Sequence, residues 1–328
     1  MVEPIVKRCA GLDVHRRTVM ATLLIEETDG SLREETREFG TFRKYRRQLA
    51  TWLQENRIEL TVMESTGIYF KSIYAELETA GLKVYVVNAR HVKQVPGRKT
   101  DVKDSQWLAS LARVGLLKPS FIPPRDLREL RLIGRYLLKQ KGILAGEKNR
   151  LHKILDDSGI RLGSVVSDIQ GVSARRIVSG LIEGKPIKEL VGYAKGRLKE
   201  KTAELKDSLE GELSERHRLL LQTIHAHIRY LEEEITKLEQ TLLDAMKPYQ
   251  DQWQLLQTIP GIDQISAAAL IIEMGVDMQQ FASADKLASW AGMCPGNNES
   301  AGKKKAERAA RVTPHSESSC VRWLMQPG

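Results

Sequence analysis

"ELTVMESTGIYFKSIYAELETAGLKVYVVNA", residues 59–89, reads as strand, helix, strand. "ELTVMEST" and "KVYVVNA" are short apolar runs of the kind that form buried strands. Between them, "IYFKSIYAELETAG" has the length of a crossover helix and stops on a glycine. Parallel strands need a crossover of this kind. The stretch therefore predicts an α/β layer with central parallel strands.

Upstream, "CAGLDVH" (9–15), "TVMATLLIEE" (18–27) and "SLREETREFG" (31–40) read as three strands joined by short turns, an antiparallel meander. "KYRRQLATWLQEN" has helical spacing through Tyr45, Leu49 and Leu53. After "PSFIPP" (119–124) the pattern changes. Leu130, Leu137, Leu144 and Leu151 recur every seven residues, and Ile224, Ile228, Leu231, Ile235, Leu238 and Leu242 step by fours and threes. Both stretches predict long helices with a narrow apolar seam, a coiled-coil pattern. An intramolecular hairpin and a dimer through these helices both satisfy it. Residues 158–200 between them read as short, glycine-broken helices. "LLQTIPGIDQISAAALIIEMG" (255–275) begins a small all-α unit. Its turn at Gly261 fits a helix-hairpin-helix that offers backbone N–H groups to a phosphate, and it fits a plain αα-turn as well.

The 328 residues suffice for about two domains. Net charge is +9 and the pI about 9.4, a balance that favours a polyanionic partner, nucleic acid before others. Cys9, Cys294 and Cys320 lack metal-ligand spacing, which argues against a zinc site or a disulfide framework. No apolar run reaches the roughly 20 residues of a membrane span. The N-terminus lacks a signal peptide's apolar stretch, so a cytoplasmic location is expected.

Asp13 ends the first strand and Glu64 ends "LTVME". Strand ends of an α/β sheet border the crevice where sites are built. "TDVKDSQWLA" (100–109) places Asp101 and Asp104 three apart at a helix start, on one face. Converging carboxylates repel one another unless a cation sits among them, and an all-oxygen set suits Mg²⁺ or Mn²⁺. The plainer alternatives are a helix cap at Asp101 and a solubilising strand end at Glu64. His15 in "HRR" reads as a surface residue or one that supports a site residue beside it, the "HRR" run as a phosphate contact or an exposed basic strand end, and Lys103 as a partner for either aspartate. Arg98 and Lys99 precede the aspartates and could steer a phosphate. Lys303, Lys304 and Lys305 form a basic run suited to nucleic acid. Ser300 in "NNESAGKKK" reads, from the residues alone, as a loop serine without a His–Asp partner.

"GLDVHRRT", "VMESTGIYF" and "GRKTDVKDSQWLA" resemble the Asp-Glu-Asp-Asp domain of insertion-sequence transposases that move by bridge-RNA-guided recombination. "IPGIDQISAAALIIEMG" and "FASADKLASWAGMCPGNNESAGKKK" resemble their C-terminal transposase domain. The resemblance runs in order from about residue 8 to 310. It implies a RuvC-like, ribonuclease-H-type α/β domain over 1–125, a helical coiled-coil and oligomerisation region over 126–248, and a small C-terminal domain over 249–310. It implies that Asp13, Glu64, Asp101 and Asp104 bind Mg²⁺, and that Ser300 is the nucleophile that joins covalently to DNA. It also implies donor and target DNA, a structured non-coding bridge RNA and a dimer or tetramer, in a bacterial or archaeal cell and at the nucleoid.

Members of that family continue past the serine with a Gly-Asn-Pro segment and further helices. Here "RVTPHSESSCVRWLMQPG" (311–328) has no helical pattern. The expectation is a frameshift within 303–311, an out-of-frame tail and a weakened recombinase. Two other functions fit the residues: a metal-dependent junction-resolving nuclease that uses only the acidic quartet, and a non-catalytic nucleic-acid-binding scaffold on the helical middle.

Overall fold

A computed structural model describes residues 5–65, 67–89, 92 and 103–291, together with the backbone of 299–300 and 303–304. The chain divides into two compact units, Met1–Arg125 and Asp126–Gly328.

The first unit is a mixed five-stranded sheet. Strands β1 (Arg8–Val14), β2 (Thr18–Glu26), β3 (Leu32–Gly40), β4 (Leu60–Glu64) and β5 (Val84–Val87) lie in the order 3-2-1-4-5. The first three form the antiparallel meander, while β4 runs parallel to β1 and β5 parallel to β4. A mixed α/β sheet with an antiparallel meander and central parallel strands is what the sequence predicted. Helices α1 (Arg43–Glu55) and α2 (Phe70–Thr79) cover one face, where Leu49, Leu53, Ile73 and Leu77 pack on Ala10, Leu12, Leu23 and Met63. Helix α3 (Asp104–Arg113) covers the other, where Leu108, Ala109 and Ala112 pack on Cys9, Leu24, Leu60 and Val62. Strand side chains alternate between faces, so the even positions of β1 serve one core and the odd positions the other. The edge strand β3 is mostly charged and carries the pairs Arg33–Glu27 and Arg37–Glu35, which suits an unpaired edge.

The second unit is helical. Helix α4 (Arg125–Asp157) and a later helix of 30 residues, Glu215–Asp244, run antiparallel side by side. Lys141 meets Glu239 at 2.8 Å, Lys148 meets Glu232 at 3.8 Å and Asp157 meets His217 at 3.0 Å, so residue numbers fall along one helix as they rise along the other. The seven-residue seam is therefore satisfied within one chain. At one end of the hairpin Leu151, Leu155, Leu221, Ile224 and Ile228 share a core with short helices, among them α5 (Leu162–Val165), α6 (Val172–Glu183), α7 (Ile187–Val191) and α8 (Thr202–Ser208). The Glu215–Asp244 helix is α9. At the other end Leu127, Leu137, Ile235 and Leu242 pack with Ala268, Ala269, Ile271 and Ile272 of α11 (Gln264–Met274), which follows α10 (Gln250–Gln257). Helix α11 is apolar nearly all round, as a helix buried on all sides must be. Its one acid, Glu273, is buried between Arg131 and Arg135 of α4, with N–O distances of 3.0 and 2.9 Å.

Candidate active site

Asp13 and Glu64 come together through strand register. Leu12 of β1 stands beside Met63 of the parallel β4, so the next step puts Asp13 beside Glu64. Adjacent strands lie about 4.8 Å apart. Both carboxylates belong to the odd-and-even set that faces α3: Cys9 in β1 and Leu60 and Val62 in β4 share that core, and Asp13 and Glu64 continue the same alternation. Asp13 is about one quarter exposed and its Oδ2 lies 3.1 Å from His15 Nε2. The histidine is thus both exposed and a direct neighbour of the first carboxylate, as the sequence suggested.

The direction of α3 brings in the third acid. Arg113 at its C-terminus accepts a backbone hydrogen bond from Ile5 N at 2.9 Å, ahead of β1. The carbonyl of Ala109 accepts from Cys9 Sγ at 3.4 Å, and the Ser105 carbonyl borders Gly11. Walking back along α3 therefore means walking forward along β1, and Asp104 begins the helix at the end where Asp13 lies. Lys103 holds the N-cap position and its side chain caps nothing, so Asp104 is the first helical residue and not the cap. Asp104 still favours the positive end of the helix dipole. Asp101, Arg98 and Lys99 lie outside the described residues.

Two features that hold this edge were not singled out in the sequence. Gly11 has no room for a Cβ beneath α3. A buried hydroxyl chain, Ser105 Oγ to Thr22 Oγ1 at 2.8 Å and Thr22 Oγ1 to Thr36 Oγ1 at 2.9 Å, ties the first turn of α3 to β2 and β3. A glycine two residues before an acidic strand end was the available signal, since glycine inside a strand marks a close approach.

Among the described residues no three His, Cys, Asp or Glu side chains are grouped closely enough to hold a metal ion. The donors on this edge are carboxylates, which is chemistry fitted to Mg²⁺ or Mn²⁺.

Ser300 lies elsewhere, in a two-stranded hairpin where the sequence suggested a loop. Strand β6 (Glu299–Ser300) pairs antiparallel with β7 (Lys303–Lys304), and Ser300 stands opposite Lys303. Lys305 lies outside the described residues, as does the tail 311–328. Gly261 takes φ +87° in the turn between α10 and α11, with open space around it. Asp263 caps α11 by accepting from Ser266 N at 2.7 Å. That N–H is committed to a carboxylate within the chain.

Two family models match the chain in order. One, described as a transposase of the DEDD type, matches residues 10–159. The other, described as the transposase IS116/IS110/IS902 family, matches residues 253–322. No curated protein sequence matches. Similar solved structures include the Thermus thermophilus RuvC structure, 16% identical, covering 34% of this chain and 99% of that one with a TM-score of 0.27. Another is T. thermophilus RuvC in complex with a Holliday junction substrate, 15% identical over 34% of this chain and 99% of that one, with a TM-score of 0.26. Among the described residues no helix is long and apolar enough to cross a membrane.

Proposed function

Because the chain belongs to the IS116/IS110/IS902 transposase family, we propose that it cuts and rejoins the DNA strands of an insertion sequence, using its carboxylate edge and Ser300. The observation that carries this reading is the register of Asp13 beside Glu64, with α3 delivering Asp104 to the same end of the sheet. Asp13, Glu64, Asp101 and Asp104 hold the divalent cation. When bound, Mg²⁺ or Mn²⁺ neutralises charge on the scissile phosphate and on the oxygens that attack and leave. His15 keeps Asp13 turned toward the edge through its 3.1 Å contact. The Ser105–Thr22–Thr36 hydroxyls tie the start of α3 to β2 and β3, and the carboxylates draw together when the cation binds.

Ser300 Oγ attacks phosphorus, the P–O3′ bond breaks, and the serine proton passes to the departing 3′ oxygen. The DNA is then held on the serine until a second 3′ hydroxyl reverses the step. Lys303, opposite Ser300 in the hairpin, and Lys304 and Lys305 contact backbone phosphate. Gly261 lets the α10–α11 turn approach a phosphate closely, and Arg98 and Lys99 guide the strand toward the carboxylates. A structured bridge RNA pairs with donor and target, which leaves the protein to read shape and backbone. The composite site is made by an oligomer in which one subunit supplies acids and another the serine.

Asp13→Asn and Glu64→Gln should each lower Mg²⁺-dependent strand cleavage about a hundredfold or more, while thermal melting stays near that of the parent. Retention of full cleavage by either variant would sink the reading. Ser300→Ala separates it from a junction-resolving nuclease: a nuclease still cuts, whereas the transposase forms no covalent protein–DNA adduct and does not cut. A non-catalytic scaffold would show no Mg²⁺ dependence at all. Reading the gene tests the out-of-frame tail: a shifted frame blocked by an early stop would sink it.

A further inference from the structure

On the same rim as Asp13 and Glu64 lies a surface that the cleavage chemistry leaves unused. Strand β3 runs parallel to β1 across β2, so the turn after Gly40 leaves the sheet at the edge where β1 ends. Two hydrogen bonds lock that turn to the β1–β2 turn: Thr41 N to Arg17 O at 3.2 Å and Thr41 Oγ1 to Arg16 O at 3.1 Å. Phe42 follows at once and is 75% exposed. Arg43 and Lys44 then open α1, whose first turn contains no acidic residue and whose N-cap supplies no side-chain acceptor.

Phe42 does not serve the fold. The ring that packs on this turn is that of Tyr45, which fills the space above Gly40. Phe39, three residues earlier, stacks on Trp52 at 5.3 Å in the core. A single exposed aromatic is ordinary on a protein surface. What is not ordinary is its company. Arg16, Arg17 and Arg43 are all exposed, and among the described residues none of their guanidinium groups meets a carboxylate or a hydrogen-bond acceptor. The acids on this side of the rim are Asp13, already in contact with His15, and Glu38, on the opposite face of β3 from Phe39. Unpaired cations around an exposed ring match a polyanion that also carries flat apolar faces, which is a nucleic-acid strand with an unstacked base.

We propose that Phe42 stacks on an unpaired DNA base while Arg16, Arg17 and Arg43 hold the flanking phosphates, so that this turn grips the strand beside the carboxylates. Along the sheet Phe42 is two strand spacings from β1, about 10 Å; because it opens α1, on the face opposite the carboxylates, a strand joining the two crosses the rim and spans about three nucleotides or more. The grip therefore falls on the strand being cut, a few nucleotides from the scissile phosphate. Phe42 and the three arginines are positioning residues. The inference rests on the reading of the carboxylate edge as the DNA-cleaving site.

The test is binding of fluorescent single-stranded and duplex DNA by the full-length protein without added metal, read by anisotropy across a salt series. Phe42→Ala should weaken single-strand binding about tenfold, leave duplex binding and the melting temperature unchanged, and be rescued by Phe42→Trp. The triple variant Arg16→Ala, Arg17→Ala, Arg43→Ala should lower the slope of log affinity against log salt for single-strand binding by about 2, the effect of three phosphate contacts. Unchanged single-strand affinity in Phe42→Ala overturns the proposal, as does equal loss on single strand and duplex. Weakening confined to an RNA strand of the same sequence overturns the assignment to DNA. Cleavage by Asp13→Asn separates the two readings. If that variant is inactive and Phe42→Ala binds normally, the carboxylate site stands and the grip falls; if it cuts normally and Phe42→Ala binds weakly, the reverse holds.

Discussion

At Gly11 an added Cβ would lie 2.5 Å from the amide nitrogen of Ala109 and closer still to the carbonyl oxygen of Ser105, so α3 rests on β1 backbone against backbone. Gly11→Ala should cost about 3 kcal/mol in urea unfolding and weaken Mg²⁺ binding by calorimetry, because α3 must lift and take Asp104 with it. Unchanged stability would show that α3 shifts without strain. Cys9, on the same face, is fully buried, and burial pushes its thiol up to about 12, against a smaller lowering by Arg113. A folded value raised above the ordinary 9.0 favours the neutral thiol. The stability this brings is complete below the unfolded value and is lost as pH climbs toward 12. At pH 8.5 iodoacetamide should therefore spare Cys9 in the folded chain and modify it in urea, as peptide masses would report. That Asp13 and Glu64 end neighbouring strands was legible because each closes an apolar run. Gly11 was not, because its role depends on which helix crosses it, some 95 residues later.

Among elements, α4 and α11 are held by the buried Glu273 between Arg131 and Arg135. Glu273→Gln should cost about 3 kcal/mol by leaving two guanidinium groups without their carboxylate, measured as a fall in the denaturation midpoint of the helical unit. The Ala-rich run "AAALIIEMG" signalled a helix. The anchor was hidden, since a glutamate next to a helix end ordinarily reads as solvated and its partners are about 140 residues upstream. The four-residue spacing of Arg131 and Arg135 was the only local hint. The middle of α4 is looser. A Cβ at Gly142 or Gly146 would meet nothing within 4 Å. Each glycine-to-alanine change there should add about 0.5–1 kcal/mol and raise the melting temperature; a drop would mean that these positions face a partner subunit.

For the molecule as a whole, the division at Arg125 and Asp126 leaves the sheet, its two faces of helix and the carboxylate edge in one unit. A fragment of residues 1–124 should fold with a cooperative thermal transition and bind Mg²⁺ on its own; an unfolded fragment would show that the helical unit is needed to complete the sheet domain. The alternation of strand and helix made this unit readable from sequence, because period and length suffice to define a layer. The seven-residue seam of the second unit was equally clear, but periodicity says only that a partner exists. The pairs Lys141–Glu239 and Lys148–Glu232 identify that partner as the same chain.

That hairpin joins two separate cores by a stretch of helix pair, and α4 with its 33 residues is about 50 Å long. It is in effect a ruler. Its length can be reset only in steps that preserve the facing seam, which are whole heptads taken from both arms together. Removing residues 138–144 along with 233–239 should yield a shorter molecule with its arms still in register, at the cost of Ile235 from the second core. Removing residues 138–144 from α4 alone slides the arms by about 10 Å on one side of the cut and parts Leu127 and Leu137 from Leu242. If the distance between the cores matters to recombination, the first deletion should leave folding intact and abolish only the joining step.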